Sequence, residues 1–138
     1  MEKDCSLFKS LLKHKKIVLI GRGITGGLPI GKTLSHFKIN YLNTNSQTHE
    51  PDQYYKEADI IVSATGKKTI NPENIKPGVV LITAGLRRID GKLKGDYNED
   101  EIKSIASAYT PTPGGIGPLD VLYLYKNLID ATRMQLKS

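Results

Sequence analysis

Four apolar β-formers, Ile17-Val18-Leu19-Ile20, run directly into Gly21-Arg22-Gly23-Ile24-Thr25-Gly26-Gly27 and then into a helix-like stretch through Leu34. A strand that breaks into a glycine turn and re-emerges as a helix restricts the fold more than any other feature of this chain. A helix N-terminus presents unpaired backbone N–H groups and a partial positive charge, which together suit a phosphate. Glycines let the backbone turn sharply and let a ligand approach without meeting a Cβ. Gly21, Gly23 and Gly26 have the G-x-G-x-x-G spacing that, after a strand, points to a dinucleotide. A glycine loop that merely turns remains the alternative at this point.

The chain has 138 residues, enough for one domain with a real core. No apolar stretch approaches the ~18 residues that span a membrane, and the first residues lack the apolar segment of a signal peptide. The single cysteine, Cys5, allows no internal disulfide, which suits a reducing compartment and predicts a cytoplasmic protein. The formal charge of +6 raises the question of nucleic acid. The basic residues are dense only at Lys3, Lys9, Lys13, Lys15 and Lys16, and no aromatic residues alternate with them, so solvated lysines are expected and no nucleic-acid partner. His14, His36 and His49 share no ligand spacing, and no metal is expected.

Asp4 or Ser6 is positioned to cap a first helix bearing Leu7, Phe8, Leu11 and Leu12. Strands are expected near 16–20, over Ile39–Leu42, Asp59–Ser63 and Val79–Ile82, and at Ala108-Tyr109. Helices are expected near 27–37, 51–58 and 98–106, and from Leu119 almost to the end, with one helical turn at Pro72–Ile75. Asp90-Gly91 predicts a hairpin turn within Arg87–Leu93. Short strands rich in Val and Ile alternating with helices give a parallel sheet buried on both faces. The expected class is α/β, a Rossmann-like three-layer sandwich with a mainly parallel sheet, formed by residues 1–138 as a single domain. Leu122, Tyr123, Leu124, Tyr125, Leu128, Ile129 and Leu136 surround most of the last helix. One stripe is expected to face the sheet, and the opposite side needs another cover.

Thr110-Pro111-Thr112-Pro113-Gly114-Gly115-Ile116-Gly117-Pro118-Leu119 fixes a backbone rather than filling a core. It resembles the T-P-x-P-G-G-[VI]-G-P signature of the bifunctional methylenetetrahydrofolate dehydrogenase/methenyltetrahydrofolate cyclohydrolase family. Gly21-Arg22-Gly23 through Gly27-Leu28-Pro29 is similar to that family's G-R-S-x-x-V-G-x-P, and Ala64-Thr65-Gly66-Lys67 to its V-G-K. Ile75-Lys76-Pro77-Gly78 resembles I-K-P-G, and Asp90-Gly91-Lys92-Leu93-Lys94-Gly95-Asp96 resembles D-G-K-L-x-G-D. The similarity runs from about residue 16 to 135.

The resemblance implies the C-terminal NAD(P)-binding domain of such an enzyme. The catalytic lysine and tyrosine belong to an N-terminal folate domain that has no counterpart here, so no catalytic residue is expected in this chain. The chain is therefore expected to be part of a longer enzyme, inactive alone. The alternative is a free-standing NADP module, structural or sensing, that docks a partner through its last helix. Backbone N–H groups from Gly21, Arg22, Gly23, Ile24 and Thr25 are expected to hold the pyrophosphate. Arg22 is expected to meet a 2′-phosphate, with Ser46 beside it by motif position. The loop Asn43-Thr44-Asn45-Ser46 carries no acid for a free ribose 2′-OH, which favours NADP over NAD. Ala64, Thr65 and Gly66 should border the adenosine ribose and pyrophosphate, and Leu86 the nicotinamide. Pro113, Gly114, Gly115, Gly117 and Pro118 should line the folate side. The family also implies a homodimer. Departures from the family pattern are Lys68, Thr83, Arg87 and Asp120, the last expected to cap the final helix or face solvent.

Overall fold

The structure is a computed structural model and describes residues 9–136. The helix cap expected at Asp4 or Ser6, and Cys5, Leu7 and Phe8, lie outside the described residues. The chain builds β1 (Ile17–Ile20), α1 (Gly27–His36), β2 (Leu42–Thr44), α2 (Asp52–Glu57) and β3 (Ile60–Ser63). A 3₁₀ turn (Pro72–Asn74), β4 (Val80–Thr83), β5 (Arg87–Ile89), β6 (Lys92–Lys94), α3 (Glu99–Ile102), β7 (Ala108–Tyr109) and α4 (Gly117–Leu136) follow.

Five strands form one parallel sheet in the order β2-β1-β3-β4-β7. The chain leaves β1 for β2, then returns across β1 to build β3, β4 and β7. The reversal between β1 and β3 is the switch point at which open α/β sheets bind ligands, beyond the carboxyl ends of the strands. This is the Rossmann-like α/β class that the strand–helix alternation predicts. Val18, Ile20, Ile61 and Leu81 pack on one face with Tyr55, Ile70, Ile75, Val79, Tyr97 and Ile102. On the other face Ile17 and Leu19 are buried, with α1 packed against β1, whereas Ile60, Val62, Val80 and Ile82 are only half-buried.

Three elements differ from the sequence expectation. The second strand is Leu42–Thr44, not Ile39–Leu42, because Ile39 serves the end of α1. The Ile39 N–H reaches Leu34 O (2.9 Å), the Lys38 N–H reaches Ser35 O (2.9 Å), and Lys38 turns left-handed at φ 56°. That is a Schellman closure, in which an apolar residue after the left-handed position covers the last turn. The helix expected near 98–106 contracts to α3, whose cap is Asn98 accepting from the Asp100 N–H. The following residues turn into β7, with the Ser107 N–H bonded to Val79 O at 2.9 Å. Finally, no residue of α4 is buried, so no stripe of it faces the sheet. Leu122, Leu124 and Leu128 are each more than 60% exposed. The helix leaves the sheet directly after Pro118, and none of the described chain covers it.

The β5–β6 hairpin forms as expected, closed by Asp90 and Gly91 with φ of 49° and 75°. Two successive positive φ values match the right-handed twist of the strands they join.

Candidate functional site

β1 ends at the switch point in a turn built by close backbone approach. Gly21 has φ 111°, and a Cβ there would lie 2.7 Å from Ala64 O at the end of β3. A Cβ on Gly27 would overlap the Gly21 carbonyl, so α1 begins directly against the strand that feeds it. Only glycines allow this packing. The Gly21 N–H is bonded to Thr44 O at 2.8 Å and faces the sheet, so it leaves the set of five expected phosphate donors. Arg22, Gly23, Ile24 and Thr25 keep backbone N–H groups without a partner among the described residues. Gly23 has nothing within 4 Å of a hypothetical Cβ, so its surface is open to a ligand.

A cleft of about 590 Å³ opens above this turn, lined by Gly21, Arg22, Gly23, Ser46, Ala64, Thr65, Lys67 and Tyr55, among others. The structure therefore brings Arg22 and Ser46 to one cavity from opposite ends of the first β-α-β unit. Ile24 is 83% exposed and Thr25 is exposed, and neither lines this cleft. The β2–α2 loop is held by the Asn45 side chain accepting from the Gln47 N–H (2.8 Å) and by Thr48 Oγ1 accepting from the Asn45 N–H (2.9 Å). Ser46 is thereby displayed with its hydroxyl unpartnered among the described residues. Tyr55 underlies the cleft with its hydroxyl 3.1 Å from Thr44 Oγ1, and burial raises its pKa.

A second hollow of about 310 Å³ is lined by Thr83, Ala84, Leu86, Leu93 and residues 111–118, together with Asp120. Pro113, Gly114, Gly115, Gly117 and Pro118 all line it. Gly66 lines neither hollow; it packs between Thr65 and Lys67 of the larger one against Leu86 of the smaller one, for a Cβ on it would lie 3.2 Å from Leu86 O. The proline-glycine loop is pinned from below. The Thr112 N–H donates to Glu99 Oε1 (2.7 Å), and Tyr97 Oη donates to Thr110 O (2.7 Å). The Thr112–Pro113 peptide is cis. A third hollow, lined by Lys15, Lys16, Tyr41, Tyr54 and Glu57, lies at the amino ends of β1 and β2, away from the strand ends where such sheets bind ligands.

The four departures from the family pattern find plain structural places. Thr83 is buried, accepts the Asp96 N–H (3.1 Å) and donates to Gly85 O (3.2 Å). Arg87 Nε donates to Gly95 O at 2.6 Å, bracing the hairpin. Lys68 pairs with Glu101 at 2.6 Å. Asp120 is not the helix cap: α4 starts at Gly117, and the Asp120 N–H is already bonded to Ile116 O. Its side chain borders the second hollow in the first helical turn, where a carboxylate suits the helix dipole.

Sequence reasoning missed Lys67 as a second cation on the larger cleft, although it lies within the quoted Ala64–Lys67 motif. It also missed Tyr97 and Glu99 as supports of the proline-glycine loop, a role that follows only from three-dimensional contacts.

A parallel sheet with its switch point under a glycine turn, unpaired N–H groups and two cations define a dinucleotide-binding α/β domain. The family model described as the tetrahydrofolate dehydrogenase/cyclohydrolase NAD(P)-binding domain matches residues 6–136. The chain belongs to that family and is an NAD(P)-binding domain. It is 41% identical over 125 residues to the bifunctional protein FolD of Brevibacillus brevis, covering 89% of this chain and 44% of the relative. Against FolD of Lactobacillus acidophilus the identity is 38% over 129 residues, covering 93% and 46%. The bifunctional FolD enzyme of Campylobacter jejuni superposes with a TM-score of 0.83 at 26% identity, covering 97% of this chain and 48% of that one. The Trypanosoma brucei enzyme, complexed with NADP cofactor and an inhibitor, gives a TM-score of 0.78 at 28% identity, covering 97% and 51%. The chain thus spans about half the length of these relatives.

Proposed function

We propose that this domain holds NADP, in preference to NAD, as the hydride acceptor of a methylenetetrahydrofolate dehydrogenase that also has methenyltetrahydrofolate cyclohydrolase activity. The observation that carries this reading is the glycine turn with unpartnered N–H groups from Arg22 to Thr25, whose Arg22 and Gly23 line one cleft with Ser46, where residues 43–46 after β2 carry no acid and Asp52 is the cleft's carboxylate. Bound there, NADP supplies the hydride acceptor. The residues of this chain bind and orient it: the turn holds the pyrophosphate, and Arg22 with Ser46 holds the 2′-phosphate. Ala64, Thr65 and Gly66 border the adenosine side, and Leu86 borders the nicotinamide. Pro113–Pro118 form the wall toward folate.

In this reading residues 1–138 form one domain, and the groups that polarise folate lie on a further domain. The exposed apolar surface of α4 is the surface that such a domain covers, and a second copy completes a homodimer of the kind the family resemblance implies. A cofactor held without its substrate gains no proximity advantage, so the domain alone does not turn over. A cytoplasmic enzyme without nucleic-acid or membrane partners fits the single cysteine. It also fits the absence, among the described residues, of a helix long and apolar enough to cross a membrane. A free-standing module has less support, because each relative named above carries this domain as about half of a longer enzyme. The test is whether the chain binds NADP more tightly than NAD, and whether Arg22 carries the difference.

A further inference from the structure

We propose that Asp96 is a positioning residue that fixes the two turns between which the cofactor lies, an inference that rests on the NADP reading above. Asp96 follows the β5–β6 hairpin and is completely buried behind the carboxyl ends of β3 and β4. It lines neither hollow, so it does not touch the ligand itself. Its Oδ2 accepts the Thr65 N–H at 2.9 Å and the Ser63 hydroxyl. Its own N–H donates to Thr83 Oγ1, whose hydroxyl holds Gly85 O. Gly85 lies directly against the carboxylate, where a Cβ would overlap it. The side chain therefore holds Thr65, on the wall of the larger cleft, and packs against Gly85, while the backbone N–H reaches the Gly85–Leu86 turn beside the smaller hollow through Thr83.

The second carboxylate oxygen, Oδ1, is the one buried side-chain polar atom without a hydrogen-bond partner among the described residues. A buried carboxylate bonded to no cation, with one oxygen unsatisfied, is costly, and an apolar side chain fills such a space more cheaply. What a carboxylate does here that an apolar group does not is draw the Thr65 N–H inward. With that N–H held from below, Gly66 (φ 67°) lies against Leu86 O and Lys67 lines the cleft. Without the anchor, Thr65 has a free donor and the turn that lines the larger cleft relaxes.

The test titrates the 138-residue chain and its variants with NADP by calorimetry and follows hydrogen exchange of the Thr65 amide in the unliganded protein. Asp96→Ala removes the anchor and is expected to weaken NADP about tenfold, with faster exchange at Thr65. Asp96→Asn keeps one oxygen for Thr65 but turns an NH₂ toward Gly85, and is expected to weaken NADP about threefold. Ile102→Val, a core substitution remote from both hollows, is expected to lower stability with unchanged affinity. If Asp96→Ala does not fold, Asp96→Asn decides. NADP affinity unchanged in folded Asp96→Asn overturns the inference, as does an equal loss in Ile102→Val. Failure of the unsubstituted chain to bind NADP overturns the cofactor reading and this inference with it.

Discussion

Arg22 lines the larger cleft with Ser46, one residue into the glycine turn; Asp52 lines the same cleft, where the Asn74 amide donates to its carboxylate. A guanidinium forms charge-assisted, forked hydrogen bonds to phosphate, so in the proposed site Arg22 acts on the 2′-phosphate that NADP has and NAD lacks. Arg22→Ala is expected to weaken NADP by about 2 kcal/mol, or about 30-fold, with NAD nearly unchanged. Paired titrations with the two dinucleotides check this, and equal losses contradict the assignment. Lys67 lines the same cleft, so in the proposed site it shares the phosphate charge and limits the size of the effect. At this scale Gly21, Gly23 and Arg22 were readable from spacing alone, since a strand followed by glycines leaves few other conformations. Which N–H groups are free was not readable. That the Gly21 N–H faces Thr44 depends on the β1–β2 register, a long-range pairing with no local mark.

The elements show the same division. β1, β3 and β4 were legible because continuous Val and Ile between turn residues suit a parallel strand, although only β1 is buried on both faces and β3 and β4 alternate buried with half-buried residues. β2 was misplaced because Ile39 is as apolar as a strand residue but closes a helix. Lys38, in the left-handed region at the C-terminus of α1, has a conformation that costs an L-residue about 1 kcal/mol. Lys38→Gly is therefore expected to stabilise the domain by about 0.5–1 kcal/mol, read from the urea midpoint. Between β1 and β4 the chain is also tied by Asp59, which accepts the Lys16 N–H at 2.7 Å and pairs with Lys76 at 2.6 Å. The Lys76 ammonium first, then the Lys16 N–H, hold the Asp59 pKa below its ordinary value. A carboxyl depressed in the folded state contributes stability that is complete above its unfolded pKa and is lost as pH falls through the folded one. Stability of the wild-type chain should thus decline below about pH 4, and Asp59→Asn should reduce that slope. The partly exposed pair is screened by solvent, so the substitution should cost only about 1 kcal/mol at neutral pH. Urea titrations across pH 2–7 measure both, and an unaltered slope contradicts the account.

The described chain is a sheet covered on one face and only partly on the other, with an uncovered helix. Composition and motif order gave the class of fold, because alternating strands and helices have few closed solutions. They did not give the disposition of α4, since an apolar helix looks the same in sequence whether its own sheet or another surface covers it. Leu124 and Leu128 are 69% and 63% exposed, so changing both to Gln should alter the stability of this chain by less than about 0.5 kcal/mol. A loss beyond about 2 kcal/mol on chemical denaturation means that the helix folds back on the sheet in solution.

As a whole the domain is proposed to be an NADP site made by the glycine turn, Arg22 and Ser46. Calorimetric titration of the purified 138-residue chain with NADP, and separately with NAD, tests it most directly. Saturable binding of NADP, tighter than that of NAD by an order of magnitude or more, is the predicted result. Equal affinities contradict the role of the 2′-phosphate, and binding of neither contradicts a cofactor site formed by this domain alone.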